Sequence, residues 1–308
     1  MTIDAKANLR TLRDVLRYAV TRFNERPIFY GHGQLDAFDE AAFLVIRAMK
    51  LPMERMEIFL DAFLTHAEIN TLIELIERRV KKRVPVAYLL GEAWLQGYRF
   101  WVDSRVIIPR SFIAELLKDR LAPWIKDPGA VHSVLDLCTG SGCLAIIAAD
   151  LFADAKVDAA DISVDALAVA ARNVEEYGLG ERVRLIESDL FQELGTSGYD
   201  LILCNPPYVT DHALSKLPAE YAHEPTLALA GGPDGLDVVR KVVAEARARL
   251  NPLGLLVVEV GDGRAAFERE YPRLPVIWAT TSAGDDMVFL VRAEDLPAQA
   301  QATRSVAA

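Results

Sequence analysis

The chain has 308 residues, 52% of them hydrophobic and 25% charged, and a formal net charge of −10. This composition is that of an ordinary globular protein with one large domain or two smaller ones. No apolar run reaches the length of a membrane span, the N-terminus lacks the apolar core of a signal peptide, and the acidic balance disfavours non-specific binding to phosphate backbones while favouring basic partners.

The three cysteines, Cys138, Cys143 and Cys204, lie in or beside apolar segments. Their odd number favours reduced thiols over a disulfide framework. Neither they nor the five histidines show the paired spacing of zinc ligands. We therefore expect a cytoplasmic protein with no bound metal and no membrane contact.

Residues 1–90 are predicted to form a helical domain. Apolar residues recur there at three- and four-residue spacing in four segments, with breaks near Gly31-His32-Gly33 and Pro52. The fourth segment ends in the basic cluster Arg78-Arg79-Val80-Lys81-Lys82-Arg83. Such a cluster is either a solvated helix end or a contact for an anion such as ribosomal RNA. Residues 91–108 then change to β periodicity and predict a hairpin linker with a turn near Asp103-Ser104.

Residues 109–292 are predicted to form an α/β domain. Short apolar strands alternate with helices, beginning with Val134–Leu137 and a helix opening at Cys143. This alternation predicts a mostly parallel sheet covered by helices on both faces. Residues 297–308 are small and polar without periodicity, and residues 293–308 are predicted to form a disordered tail.

A glycine-rich loop follows the first strand of the α/β domain and opens a helix. Gly140, Gly142 and Ala145 match the pattern G-x-G-x-x-G/A. The missing Cβ at Gly140 and Gly142 would let a nucleoside ligand lie against the loop. Asp161 ends the second strand, where it can accept hydrogen bonds from ribose hydroxyls. Either a nicotinamide dinucleotide or S-adenosylmethionine fits such a loop.

Two further carboxylates favour S-adenosylmethionine, because that molecule carries a sulfonium cation and no phosphate. Asp136 lies just before the glycine-rich loop. Asp189 follows the third strand, where it can accept a hydrogen bond from an adenine amino group.

The stretch Asn205-Pro206-Pro207-Tyr208 follows the apolar strand Leu201–Cys204. Two prolines cannot continue a helix or a central strand, so the stretch forms a stiff loop that presents an amide, free carbonyls and a ring. Such a loop suits a planar substrate that carries N–H groups. Taken alone, the stretch is equally compatible with a strand-to-loop corner without chemistry.

The block Leu135–Gly142 and Asn205-Pro206-Pro207-Tyr208 together resemble class I S-adenosylmethionine-dependent methyltransferases of the HemK type, which are N(5)-glutamine methyltransferases. The resemblance covers about residues 88–291 and implies an α/β, Rossmann-like sheet. It implies a cofactor site at Asp136, Cys138, Thr139, Gly140, Gly142, Asp161, Ile162, Asp189, Leu190 and Asn205. It implies catalytic roles for Asn205, Pro206, Pro207 and Tyr208, and substrate contacts for Pro109, Arg110, Asn205 and Tyr208.

The stretch Ile108-Pro109-Arg110-Ser111 resembles the PrmB branch of this family, which methylates large-subunit ribosomal protein L-three. The release-factor branch would have Pro-Thr-Glu after Pro-Arg. Cys138 and Tyr221-Ala222-His223-Glu224-Pro225 point to the same branch, whereas Phe112 stands where Pro is expected. The resemblance thus implies a basic protein substrate, with the helical domain and Ile108–Glu115 expected to supply the selective contacts. A release-factor glutamine methyltransferase or a nucleic-acid exocyclic-amine methyltransferase stays open as an alternative.

A glutamine amide nitrogen is a poor nucleophile, because its lone pair is delocalised into the carbonyl. We expect the side-chain oxygen of Asn205 and the backbone carbonyl of Pro206 each to accept one amide N–H. These bonds would favour the pyramidal nitrogen of the transition state. Tyr208 would pack against the amide plane and Pro207 would shape the wall.

Overall fold

The computed structural model describes residues 2–195 and 198–298. Over this range the chain forms two compact units. The helical unit contains the chain up to Ala93 together with Pro218–His223, and the sheet unit contains Trp94–Leu217 and the chain from Glu224 onward. Within the described range, no helix combines the length and the apolar content needed to cross a membrane.

The helical unit is built on amphipathic helices with defined starts. Its helices are α1 (Thr2–Asn8), α2 (Leu12–Asn24), α3 (Ala37–Ala48), α4 (Met56–Phe59), α5 (His66–Lys82) and α6 (Val86–Leu90). Thr11 and Thr65 close capping boxes at the starts of α2 and α5. Each box satisfies backbone N–H groups that the first helical turn leaves without partners. The buried faces of α2, α3 and α5 form the core of this unit.

The basic end of α5 contains one fully buried side chain. Arg79 is 0% exposed and its guanidinium bonds Glu40 at 2.6 Å and Glu220 at 3.0 Å. Arg83 Nε lies 2.8 Å from Glu220. Both arginines therefore neutralise internal carboxylates, and the predicted anion contact receives no support from them.

The predicted hairpin is present, but its turn lies elsewhere. Strand β1 (Ala93–Leu95) pairs with β2 (Tyr98–Phe100) through a turn at Gln96 and Gly97. Both turn residues have positive φ, at 51° and 88°, as a tight two-residue hairpin turn requires. A turn is also present at the predicted position near Asp103-Ser104, where Val106 N bonds Asp103 O at 3.2 Å. It lies outside the hairpin, because the chain leaves the strand at Trp101, whose N–H bonds Asn173 Oδ1 at 2.8 Å.

In the sheet unit, the described residues form a sheet of seven strands. They are β3 (Ser133–Leu137), β4 (Lys156–Asp161), β5 (Val183–Glu187), β6 (Tyr199–Cys204), β7 (Leu250–Glu259), β8 (Ile277–Thr281) and β9 (Gly284–Arg292). The helices are α7 (Ile113–Lys118), α8 (Cys143–Leu151), α9 (Val164–Glu176), α10 (Asp211–Leu214), α11 (Asp237–Ala246) and α12 (Arg264–Glu270). The strand order is β5-β4-β3-β6-β7-β9-β8.

Strands β3 to β7 are parallel, and β9 is antiparallel to both β7 and β8. The predicted mostly parallel α/β sheet is therefore confirmed. The strand order reverses direction between β3 and β6. In open parallel sheets, ligands bind outside the carboxyl ends of the strands at this point.

The chain stays packed beyond the predicted start of the tail at residue 293. Ala293 donates its N–H to Gly254 O at 3.0 Å, and Leu296 is 1% exposed in the core of the sheet unit. The predicted boundary is therefore too early, because Leu296 still buries apolar surface. The rest of the predicted tail, residues 299–308, lies outside the described residues.

Candidate active site

Four loops of the sheet unit meet at the carboxyl edge of the sheet around the point where the strand order reverses. They follow β3, β4, β6 and β7, and they begin at Cys138, Ile162, Asn205 and Val260. The segment after β5, from Ser188 to Leu190, joins them through a 2.9 Å bond from Ser188 N to Asp161 O.

The glycine-rich loop is a tight turn with three left-handed residues. Cys138, Gly140 and Gly142 have φ values of 57°, 56° and 79°. Thr139 N bonds Ala160 O at 3.0 Å and Gly142 N bonds Thr139 O at 2.9 Å, which pins the loop to β4 and to itself. Left-handed backbone suits glycine, whereas at Cys138 it costs roughly 1–2 kcal/mol.

The two glycines of the loop serve different purposes. A Cβ at Gly140 would meet only Ile107 Cγ2, at 3.9 Å, so the loop there is open to a ligand. A Cβ at Gly142 would lie 3.2 Å from Ala170 Cβ. Gly142 thus permits the start of α8 to pack closely on α9.

Asp136 lies at 0% exposure under the glycine-rich loop. Its Oδ2 accepts hydrogen bonds from Thr139 Oγ1 at 2.5 Å and from Ala145 N at 3.1 Å. Burial raises the pKa of Asp136 to about 7, against the opposing effect of these two donors. Among the described residues its buried Oδ1 has no hydrogen-bond partner. Buried acceptors are rarely left without a donor.

Asp161 at the end of β4 joins two loops. Its Oδ2 accepts from Gly140 N at 2.8 Å and its Oδ1 from Ser163 N at 2.9 Å. Burial raises the pKa of Asp161, although both backbone donors oppose the shift. Next to it, Ile162 is 51% exposed, an apolar side chain directed away from the core.

Asp189 and Leu190 stand on the same edge after β5. Asp189 is half-buried, and its Oδ2 accepts from Gln192 Nε2 at 3.3 Å. Leu190 is buried with a φ of 53°. The structure thus brings Asp136, Asp161 and Asp189 to one edge of the sheet.

The Asn-Pro-Pro-Tyr loop is held by glycines that the sequence reasoning missed. A Cβ at Gly231 would lie 2.6 Å from Tyr208 Cα, and one at Gly235 would lie 2.4 Å from Tyr208 O. A Cβ at Gly261 would lie 2.6 Å from the ring carbon Cε2 of Tyr208. Backbone and ring of Tyr208 are therefore both in close contact with glycine. Asn205 and Pro207 are half-buried and Pro206 is buried.

Glu259, the last residue of β7, is a further site residue that the sequence did not lead us to predict. Its side chain is buried, and Oε1 accepts a 3.0 Å bond from the Tyr208 hydroxyl. Oε2 accepts from Ser111 Oγ at 2.7 Å and from Phe112 N at 2.9 Å. The sequence did contain a signal for this residue, because a charged side chain directly follows the apolar run of residues 255–258.

Arg110, predicted to contact substrate, forms an internal ion pair. Its two terminal nitrogens each bond a carboxylate oxygen of Glu224 at 2.6 Å. Glu224 Oε1 also accepts from Ile108 N at 3.0 Å. The buried Pro109 lies between these anchors.

The parallel sheet ending in an antiparallel strand, with a glycine-rich loop after β3 and the Asn-Pro-Pro-Tyr loop after β6, defines a class I methyltransferase fold. Residues 115–221 match the family model of the methyltransferase small domain. A solved ribosomal protein L11 methylase from Lactobacillus delbrueckii subsp. bulgaricus aligns with a TM-score of 0.41 and 20% identity, over 58% of this chain and 76% of its own.

Two curated relatives are ribosomal protein uL3 glutamine methyltransferases. That of Burkholderia pseudomallei is 52% identical, with 94% of this chain and 97% of the relative aligned. That of Neisseria meningitidis serogroup A is 53% identical, with 95% of this chain and 96% of the relative aligned. The chain belongs to the family of ribosomal protein uL3 glutamine methyltransferases.

Proposed function

We propose that this protein transfers a methyl group from S-adenosylmethionine to the side-chain amide nitrogen of a glutamine in ribosomal protein uL3, the L-three protein of the large subunit. The observation that carries the proposal is the identity of 52–53% to relatives of that name over at least 94% of the chain. The Asn-Pro-Pro-Tyr loop beside the glycine-rich loop adds chemical support.

The residues at the carboxyl edge fit S-adenosylmethionine. The open face of Gly140 and the exposed Ile162 offer surface for a nucleoside. Asp161 would accept from ribose hydroxyls, since each carboxylate oxygen has two lone pairs and its present donors use one on each. Asp189 would accept from the adenine amino group. Asp136 is completely buried, so it would support the cofactor site from beneath, with its Oδ2 holding Thr139 and the start of α8. When bound, the cofactor supplies an electrophilic methyl group on a cationic sulfur.

The substrate amide would be held by the Asn-Pro-Pro-Tyr loop. Asn205 Oδ1 and Pro206 O would each accept one amide N–H, which favours a pyramidal nitrogen with an available lone pair. The Tyr208 ring would pack against the amide plane. Holding the nitrogen in line with the methyl group converts a bimolecular step into a unimolecular one, worth roughly 7–11 kcal/mol.

The methylated amide would lose its surplus proton to solvent after transfer. Neither of the two histidines that follow the Asn-Pro-Pro-Tyr loop in the sequence offers a better acceptor. Nε2 of His212 lies 2.8 Å from Lys216 Nζ on the exposed surface, and that of His223 lies 2.8 Å from Lys82 O in the helical unit.

The helical unit is proposed to supply substrate selectivity. The residues proposed to bind the cofactor and the amide all lie in the sheet unit, and class I cores serve many substrates. A net charge of −10 suits a basic ribosomal protein, and such a substrate would place the reaction in the cytoplasm.

The test is methyl transfer from labelled S-adenosylmethionine to purified uL3, a release factor, and ribosomal RNA, in parallel. We expect one methylated glutamine in uL3, located by peptide mass mapping. Methylation of the release factor or of the RNA with equal or higher kcat/KM would overturn the assignment.

A further inference from the structure

Glu259 is a buried carboxylate at the carboxyl end of β7 with an unusual set of partners. It is 0% exposed, and three donors among the described residues bond its carboxylate: the hydroxyls of Tyr208 and Ser111 and the backbone N–H of Phe112. None of these donors is cationic. A buried glutamate without a cation is costly to retain, so its hydrogen bonds call for an explanation beyond stability.

The three donors come from two segments that lie far apart in the chain. Tyr208, the last residue of the Asn-Pro-Pro-Tyr loop, lies 51 positions before Glu259 in the sequence. Ser111 lies 148 positions before Glu259, and Phe112 is next to it. One carboxylate therefore joins the two stretches from which the substrate contacts were predicted. Oε1 holds the first stretch and Oε2 holds the second.

The Tyr208 ring is constrained at two places. Its edge lies against Gly261, where even a Cβ would come within 2.6 Å of Cε2, and its hydroxyl is bonded to Glu259. The hydroxyl lies on the rotation axis of the ring, so its hydrogen bond fixes where the side chain points, and the close contact with Gly261 limits rotation of the ring plane. Hydrogen bonds to charged groups are about twice as strong as neutral ones, which makes Glu259 an effective anchor.

We propose that Glu259 is a positioning residue for methyl transfer, which fixes the direction of the Tyr208 side chain and holds the Ser111–Phe112 segment in place. This inference rests on the proposed function for the identity of the acceptor amide. Glu259 acts through Tyr208, because its complete burial keeps it from contact with a protein substrate. Its benefit is orientation, for which a misplacement of about 1 Å can cost roughly 100-fold in rate.

The experiment compares Tyr208→Phe, Glu259→Gln, the double variant, and the control Glu268→Gln, whose carboxylate is 51% exposed in a pair with Arg264. We expect each single variant to lower kcat on uL3 by roughly 10- to 100-fold, the equivalent of one hydrogen bond to a charged group. KM and the Kd of S-adenosylmethionine should change less than about twofold. The double variant should be no slower than the slower single variant, because both remove one interaction.

If the fold-losses of kcat in the two single variants multiply in the double variant, the positioning role is overturned. It is also overturned if cofactor affinity and Tm fall without a specific loss of kcat. If Glu259→Gln does not fold, Tyr208→Phe decides, since an unchanged kcat in that variant contradicts the proposal.

A second readout separates this proposal from the proposed function. Site-specific 3-fluorotyrosine at position 208 reports the ring environment by ¹⁹F NMR without any substrate. We expect one sharp resonance in the wild type and a shifted or broadened one in Glu259→Gln. A wild type that fails to methylate uL3 but shows this change refutes the proposed function alone, whereas an unchanged resonance refutes the positioning role.

Discussion

The guanidinium of Arg110 donates two 2.6 Å hydrogen bonds to the carboxylate of Glu224, a residue 114 positions further along the chain. The Glu224 side chain in this pair is 0% exposed and that of Arg110 is 22% exposed. The same carboxylate accepts from Ile108 N. Arg110 therefore holds its own segment in place whether or not it also meets a substrate.

Arg110→Ala should lower the free energy of unfolding by roughly 3 kcal/mol, because it leaves the carboxylate of Glu224 buried without its cation. Urea denaturation measures the loss. Arg184→Ala removes a guanidinium that is 68% exposed and should cost less than about 1 kcal/mol. If Arg110→Ala is as stable as that control but raises KM for uL3, Arg110 binds substrate as the sequence predicted.

Asn205→Ala should lower kcat by roughly 10²- to 10³-fold, the typical effect of removing one preorganised polar group from a transition state. Calorimetry should find the affinity for S-adenosylmethionine nearly intact. Asn251→Ala is the matched control, because Asn251 lies at the start of β7 and its amide bonds Asp200 Oδ1. If Asn205→Ala has a single-turnover rate near the wild-type value, the proposed amide-binding mechanism is contradicted.

Asp161→Ala should weaken S-adenosylmethionine binding by about 1–3 kcal/mol, since ribose hydroxyls lose their acceptor. The Gly140 N–H also loses its partner, so the loop loosens. Ser163→Ala removes the cap of α9 without touching the carboxylate and should leave cofactor affinity unchanged. Equal calorimetric affinities for wild type and Asp161→Ala would contradict the ribose assignment.

The free energy of unfolding should decrease as pH rises, because of the raised pKa of Asp136. Its folded pKa is about 7, whereas an unfolded Asp has a pKa of about 4, so between these values the folded chain holds an additional proton. The free energy of unfolding should therefore decrease by up to about 1.4 kcal/mol per pH unit in this window and level off above it.

Asp136→Asn should remove this dependence while keeping an acceptor for Ala145 N. Urea midpoints from about pH 5 to about pH 8 provide the measurement. Glu259 and Asp161 also have raised pKa values and contribute slopes of the same sign, so the difference between wild type and variant is the decisive quantity. Parallel curves for the two proteins would show that Asp136 does not titrate in this range.

Salt should slow methylation of a basic substrate, because encounter with a chain of net charge −10 is steered by attraction. We expect kcat/KM for uL3 to fall roughly tenfold between low and high ionic strength. A short uncharged peptide with the same glutamine serves as the control and should show little change. Equal salt dependence for both would mean that charge steering has no part in substrate choice.

The sequence by itself determined the features that depend on neighbours in the chain. Alternating apolar strands and helices predicted the parallel sheet, because side-chain periodicity is a local property. The loop from Cys138 to Gly142 and the position of Asp161 at the end of β4 followed from that same periodicity. The two prolines predicted that β6 ends before Asn205, because proline cannot continue a central strand.

Only the tertiary structure decided which distant side chains meet. The pairing of Glu259 with Tyr208, of Arg110 with Glu224, and the inclusion of Pro218–His223 in the helical unit all join positions at least 50 residues apart. A single sequence shows that Glu259 is charged and lies in an apolar strand, but the donors that make its burial tolerable come from other segments. Their positions are set by how strands and loops pack in space, since no local periodicity records a partner so far along the chain.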